Sequence, residues 1–241
     1  MNRIYTIHTS RTLMFAELYQ VMNRGIEAAN FDEVLMLNVA NKLSNKNLLQ
    51  TNAYLRKLYG FDNSDVLFSC FRHYWKMADD SKKNILALLF AVNNDSLLSE
   101  SVDLVVNSPV SEKISIERFE ENIEKYHPGK YSANTRRSTA QNLASSWKQA
   151  GYIEGKMKNI RVKPQHNYLT VAFAFLLSYL NGDRGEYILM SKMVKALALE
   201  AGEIRDFIRQ AATHDLLQYQ YGGNVTVISF ENQLNKIQNG Q

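Results

Sequence analysis

The chain has 241 residues, is 45% apolar and 22% charged, and carries a formal net charge of +4. That is the make-up of a folded globular protein, long enough for one large domain or two to three small ones. A single cysteine, Cys70, excludes an internal disulfide and points to the cytoplasm. The most apolar run, Tyr168 to Leu180, has 13 residues against the roughly 20 of a spanning helix, so a core helix is expected there. With only three prolines and few alternating Val-Ile-Thr runs, the chain leans towards helix, and its start shows no signal-peptide pattern.

In chain order, Thr9 or Ser10 can cap a first helix over "RTLMFAELYQVMNRG", stopped by Gly25. "NFDEVLMLNVANKLS" follows, with Asn30 or Asp32 as its start, and then "NKNLLQTNAYLRKLYGF", closed by Gly60. This pair fits a helix-turn-helix, and equally a helical hairpin of a bundle. Lys42, Lys46, Arg56 and Lys57 are the cations a DNA-binding version would use. Three more helical patterns follow between 64 and 106, each opening at Ser or Asp. Cys70 lies in the first of them, where an inert buried thiol is expected. "NSPVSEK", 107–113, reads as a linker because its Ser-Pro step disfavours helix.

A new unit begins at Ser115, a good N-cap, with Ile114 and Phe119 placed as a hydrophobic staple. Glu117, Glu120 and Glu121 suit the positive end of its dipole. His127-Pro128-Gly129 ends it. Ser132 caps the next helix, whose apolar face is Ala133, Ala140, Leu143, Ala144 and Trp147. Asn134, Thr135, Ser138, Asn142, Ser145 and Gln149 form the opposite, small polar face, and Arg136 and Arg137 flank its first turn. Then "YIEGKMKNIRVKP" changes to the period of a short hairpin, with Lys156, Lys158, Arg161 and Lys163 expected to face outward. Two helices and a basic hairpin have the shape of a winged helix.

Charge supports a role for this unit. Residues 1–110 hold 11 Lys/Arg against 11 Asp/Glu, residues 111–165 hold 11 against 6, and residues 166–241 hold 6 against 7. Within 128–164 there are eight cations and the single acid Glu154. Surface cations are usually only solvated, and many winged-helix units merely pack, but this concentration favours an anionic partner. Lys130, Arg136, Arg137, Lys156, Lys158, Arg161 and Lys163 would hold phosphates, with Asn134, Thr135 and Ser138 near base edges.

The C-terminal part repeats the shape without the charge. "NYLTVAFAFLLSYLNG", "GEYILMSKMVKALAL" and "EAGEIRDFIRQAATHDLL" read as helices, the last offering Arg205 and Arg209, and "LLQYQYGGNVTVISF" as a hairpin around Gly222-Gly223-Asn224. Packing or oligomerisation is its expected role, and the polar tail "ENQLNKIQNGQ" is expected to fray. The expected fold is therefore mainly α, with three parts: a helical domain over 1–108 containing the helix-turn-helix-like pair, a basic winged-helix domain over 109–165, and a helical, winged-helix-like domain over 166–241.

No phosphate-cradling glycine loop, no nucleophile elbow and no metal-ligand spacing among His8, His73, His127, His166 and His214 is present. No enzyme, cofactor or metal is expected.

"YSANTRRSTAQNLASSWKQAGYIEGK" resembles the helix-and-wing region of the BrxA family of BREX phage-defence systems. The upstream order of parts, from "TSRTLMFAELYQVMNRG" through "NVANKLSNKNLLQTNAYLRKLYGF", is similar too, over roughly residues 8–235. The resemblance implies a cytoplasmic, non-enzymatic component that binds double-stranded DNA, with Thr135, Arg136, Arg137 and Ser138 in contact. The family's helical architecture is also shared with NusB-type RNA-binding proteins, which keeps RNA open. A scaffold holding other defence-system proteins and a transcription regulator are the alternatives.

Overall fold

The computed structural model of the protein describes residues 6–28, 30–156, 158–222 and 225–238. The turns expected at Met157 and at Gly223-Asn224 fall partly outside these residues, as does the end of the tail. Among the described residues the protein is mainly helical, with two small antiparallel hairpins, as the sequence implied. No helix among them is long and apolar enough to cross a membrane.

Helices α1 (Phe15–Gly25), α2 (Phe31–Met36), α3 (Asn45–Tyr59), α4 (Val66–Met77), α5 (Asp80–Asn94), α6 (Ser96–Glu100) and α7 (Val102–Val106) come first. Helices α8 (Ile116–Tyr126) and α9 (Ala133–Gln149) precede the hairpin of β1 (Ile153–Glu154) and β2 (Ile160–Arg161). Then follow α10 (Tyr168–Leu180), a short 3-10 helix (Gly185–Met190), α11 (Lys192–Ala196), α12 (Ala201–Thr213), the hairpin of β3 (Gln218–Gly222) and β4 (Val225–Ser229), and α13 (Glu231–Gln238).

Two helices are buried nearly all round: every residue from Ile85 to Val92 in α5, and every residue from Leu169 to Ser178 in α10. A helix apolar on all faces must be wrapped by others. Here α4, α11 and α12 flank α10. Phe71 of α4 stacks on Phe90 of α5 with ring centroids 4.4 Å apart, and Phe173 of α10 meets Phe71 at 5.9 Å. The buried apolar residues form one cluster that runs from Ile7 to Phe230, across the boundaries expected near 108 and 165.

Several caps fall where the sequence placed them: Asn30, Asp65, Ser115 and Ser132 each accept a backbone N–H in the first turn of the following helix, and Ser44 and Asn167, which the sequence reading does not single out, do the same. Other elements differ. Neither Thr9 nor Ser10 caps α1, which begins only at Phe15. The N–H groups of Leu13, Met14 and Phe15 are taken instead by Ser146 Oγ (2.8 Å), Thr12 Oγ1 (3.2 Å) and Gln149 Oε1 (3.0 Å). Residues 7–14 therefore form a strap laid along α9. Gly25 lies inside the last turn of α1 rather than beyond it, and a Cβ there would meet the Phe31 ring at 2.4 Å. Its role is close approach, not a left-handed stop.

The expected linker is part of the wing. Ser111 N–H donates to Arg161 O (2.8 Å), Arg161 N–H to Glu112 O (2.8 Å) and Ile114 N–H to Asn159 O (2.9 Å), so 111–114 lies as a third extended segment against β2. The single helix expected over "GEYILMSKMVKALAL" is broken at Ser191, whose extended backbone caps α11. The tail expected to fray forms α13, which packs on α4, with the Gln233 side chain buried against His73.

One buried polar group ties these parts together. Asp95 caps α6 by accepting from Leu98 N–H (3.0 Å) and also accepts from Ile7 N–H (2.7 Å). His8 Nδ1 lies 2.9 Å from its Oδ2, at ion-pair distance though off the line of a hydrogen bond. Burial pushes the Asp95 carboxyl up, but His8 and the two backbone donors outweigh it, leaving the group below its ordinary value. A depressed carboxyl stabilises the fold above its unfolded value, and that stability is lost as pH falls through the folded one. Asp95→Ala should cost about 3–5 kcal/mol in urea unfolding. Wild-type stability should fall as pH drops below the ordinary carboxylate range near pH 4, and the variant should show a smaller fall.

Candidate nucleic-acid interface

The exposed part of the winged unit starts with a tight turn. The α8 chain ends at His127, whose Nε2 meets Glu100 Oε2 at 2.8 Å. Gly129 takes a left-handed φ of 67° and donates its N–H to Glu124 Oε1 (2.8 Å). The chain then re-enters helix at Ser132, which accepts Thr135 N–H. Helix α9 is thus directed back along α8.

Helix α9 does two different things along its length. Its C-terminal half is an anchor. Trp147 is buried and donates Nε1–H to Ser101 Oγ (2.8 Å), and Tyr152 meets its ring edge at 5.0 Å. Asn142 donates to His8 O (2.9 Å), while Gln149 holds Phe15 N–H and Thr12 Oγ1. Half of the polar face expected to meet a partner is therefore turned inward: Asn142 and Gln149 are taken up by the strap, and half-buried Ser145 accepts from Gln149 Nε2 (3.3 Å). Only the first turns stay open: Asn134, Arg137, Ser138 and Gln141 are exposed. Their spacing of three, one and three places them in one stripe. Ala133, expected on the apolar face, is exposed, and Thr135 is half-buried, sharing a hydrogen bond with the Ser132 hydroxyl (2.9 Å).

The two arginines are not free. Arg136 pairs with Glu124 at 2.7 Å, and Arg137 with Glu117 at 3.3 Å and Glu120 at 3.1 Å. Glu117 is held below its ordinary value by its own backbone N–H, by Ser115 and by Arg137. Glu124 is lowered too, first by the Gly129 N–H and then by Arg136. The α8 acids thus already occupy the positions that phosphate oxygens would take.

The wing lies beside the anchored end of α9, where Lys148 Nζ donates to Lys156 O (3.2 Å). Lys156 and Lys158 are exposed, and neither meets a carboxylate among the described residues. Lys130 is exposed, with its ammonium 5.3 Å above the Tyr131 ring. Lys163 is tied to Glu203 at 2.8 Å. Arg161, expected to face outward, is only 2% exposed. Its guanidinium donates to Val105 O (2.9 Å), Tyr152 O (3.3 Å) and Val162 O, and lies 5.3 Å over the Tyr152 ring. The third segment at 111–114 covers β2 and turns that side chain inward.

The α2–α3 pair presents less. Lys42 pairs with Glu17 at 2.7 Å and Arg56 with Asp32. Lys46 and Lys57 are exposed on α3. Asn52 donates to Leu35 O (2.8 Å), which seats α3 on α2 as a packed hairpin.

A residue set reminiscent of hydrolase chemistry also forms, from distant parts of the chain: Ser146 Oγ lies 3.0 Å from His8 Nε2, and His8 Nδ1 faces Asp95. All three are fully buried. Ser146 donates its hydroxyl proton to Asn142 O (2.9 Å) and so accepts at His8, the reverse of what a general base requires. The set is a structural clamp. Cys70 is buried as expected, and burial, with Asp65 nearby, pushes its thiol up to about 12. No cluster of metal-ligating side chains exists among the described residues.

Gln141 and Lys148 are not among the contact residues the sequence singles out, although counting seven on from Asn134 reaches Gln141. The arginines' carboxylate partners lie on another helix, and no spacing rule finds them. These placements separate the cations by role. Arg161→Met should lower stability by about 3 kcal/mol or more, because it strips charge-assisted bonds from three buried carbonyls. Arg137→Ala should leave the melting temperature essentially unchanged. Thermal unfolding by circular dichroism checks both.

No protein family, curated protein or solved structure matches the chain.

Proposed function

We propose that the protein binds double-stranded DNA without catalysing a reaction, mainly through phosphates, using the open first turns of α9 and the lysines of the wing. The observation that carries this reading is the division of α9. Its exposed stripe of Asn134, Arg137, Ser138 and Gln141 is small, polar and able to approach a groove closely, and uncompensated Lys156 and Lys158 lie on the adjoining hairpin. Lys130 extends the cationic rim past the helix start. A role within a BREX-type defence system is the part of the proposal that rests on the BrxA resemblance alone.

The α8 carboxylates give the reading its energetics. A phosphate that takes Arg137 must displace Glu117 and Glu120, which lie at 3.3 and 3.1 Å. These are exposed pairs, cheap to exchange and screened by salt. The same pairs favour one rival reading. A surface whose arginines already accept carboxylates could equally hold an acidic protein partner, as a scaffold would.

Fluorescence anisotropy with a labelled duplex at about 50 and 200 mM salt decides between them. Lys156→Glu with Lys158→Glu should weaken duplex binding and reduce the salt slope by about 2, one unit or so for each lost phosphate contact. Glu117→Gln with Glu120→Gln should tighten it by releasing Arg137. No duplex binding at the lower salt, with the protein folded, would overturn the DNA reading and leave the acidic-protein one. Displacement of the duplex by an RNA hairpin would move the target to RNA.

A further inference from the structure

A cleft of about 730 Å³ lies where the wing unit meets the C-terminal helices. Val106, Val110, Leu189, Val194 and Ile204 contribute apolar walls, and Arg161 lines it from β2. The volume is in the usual range for a small-molecule site.

The charge pattern inside it is unbalanced. Arg161 is 98% buried by its 2% exposure, yet its hydrogen-bond partners are neutral carbonyls, and no carboxylate pairs with it among the described residues. Its Nη2 makes no hydrogen bond among them. Buried guanidinium groups are normally paired, because desolvating a charge costs several kcal/mol. The carboxylates around the cleft are already engaged. Asp103 pairs with Lys192 at 2.5 Å, Glu203 pairs with Lys163 at 2.8 Å, and Glu200 caps α12. Lys195, exposed at the rim, has no carboxylate partner among the described residues either. Two cations thus face a partly apolar cleft without a counter-ion.

We infer that this cleft binds a small organic anion, with a carboxylate or phosphate head held between Arg161 Nη2 and Lys195 and an apolar body against Val106, Val110, Val194 and Ile204. The head supplies the missing counter-charge at the buried guanidinium. The apolar walls exclude water, which strengthens that pair. Burial already depresses the Arg161 guanidinium below its ordinary value, and an anion would reverse that shift. The site does not depend on the DNA-binding surface, which lies on α9 and the outer side of the wing.

Isothermal titration of the full chain with octanoate, octyl phosphate, octanol and acetate tests the proposal. Octanoate or octyl phosphate should bind saturably at one site per chain. Octanol, lacking the charge, and acetate, lacking the body, should each be weaker by about tenfold or more. Whichever anion binds better identifies the head group. Lys195→Glu, at an exposed position that leaves the fold intact, should weaken the binding anion by about tenfold or more. Ile204→Trp, which fills the cleft, should abolish it with the melting temperature preserved. Arg161→Met should also abolish it, if the variant folds. Equal binding of octanol and octanoate, no saturable binding of either anion, or indifference to Lys195→Glu would each overturn the proposal. Duplex affinity is read separately, so failure here leaves the DNA-binding reading standing, and the reverse.

Discussion

The fold depends on the buried contact between Asp95 and His8. These residues are far apart in the chain, and so is Ser146, which His8 reaches on its other side. Each is enclosed, so each must find its partner inside the protein. In the structure the three meet where the 7–14 strap lies between α6 and α9. That strap and the first residue of α1 in turn supply the backbone groups that hold Asn142, Ser146 and Gln149. The orientation of α9 is thereby fixed by polar bonds on one side and by Trp147 on the other. The open stripe at its other end is presented by a helix that cannot rotate about its axis without breaking this set.

Electrostatics in the winged unit follows from where cations lie relative to α8, not from their number. The eight cations of 128–164 suggest a uniform patch. The structure divides them. Arg136 and Arg137 are neutralised by α8 glutamates, Lys163 by Glu203, and Arg161 is withdrawn into the interior. What remains outward and uncompensated among the described residues is Lys130, Lys156 and Lys158, with Lys148 bonded to the wing backbone. The field this unit projects is weaker and more localised than its composition suggests. The arginines form a reserve, available to a ligand that outcompetes carboxylates.

Local signals were legible in the sequence. Ser115 and Ser132 cap helices as expected, because a cap is decided within four residues. The alternating run around Gly222 forms the hairpin for the same reason. Errors arose where the decision was not local. Strands of two residues carry too few positions to fix which side chains face out, so Arg161 was assigned to the wrong side. The 107–113 segment reads as a linker because the bonds that tie its end to the wing exist only against Asn159–Arg161. The polar tail gave no sign of helix α13 because its docking surface belongs to α4. Ser191 is the exception: a Ser before Lys-Met-Val is a local cap signal, and the break there could have been read.

The division of α9 also has a consequence for how this protein can change over generations. Asn142, Leu143, Ala144, Ser146, Trp147 and Gln149 are bound to the core or the strap, and a substitution there is felt across the fold. Asn134, Arg137, Ser138 and Gln141 are exposed, and the ion partners of Arg137 are surface glutamates of α8. These four positions can be rewritten with little effect on folding, so the chemistry of this surface can drift or be selected independently of stability. The result is a fixed frame carrying a short, replaceable edge.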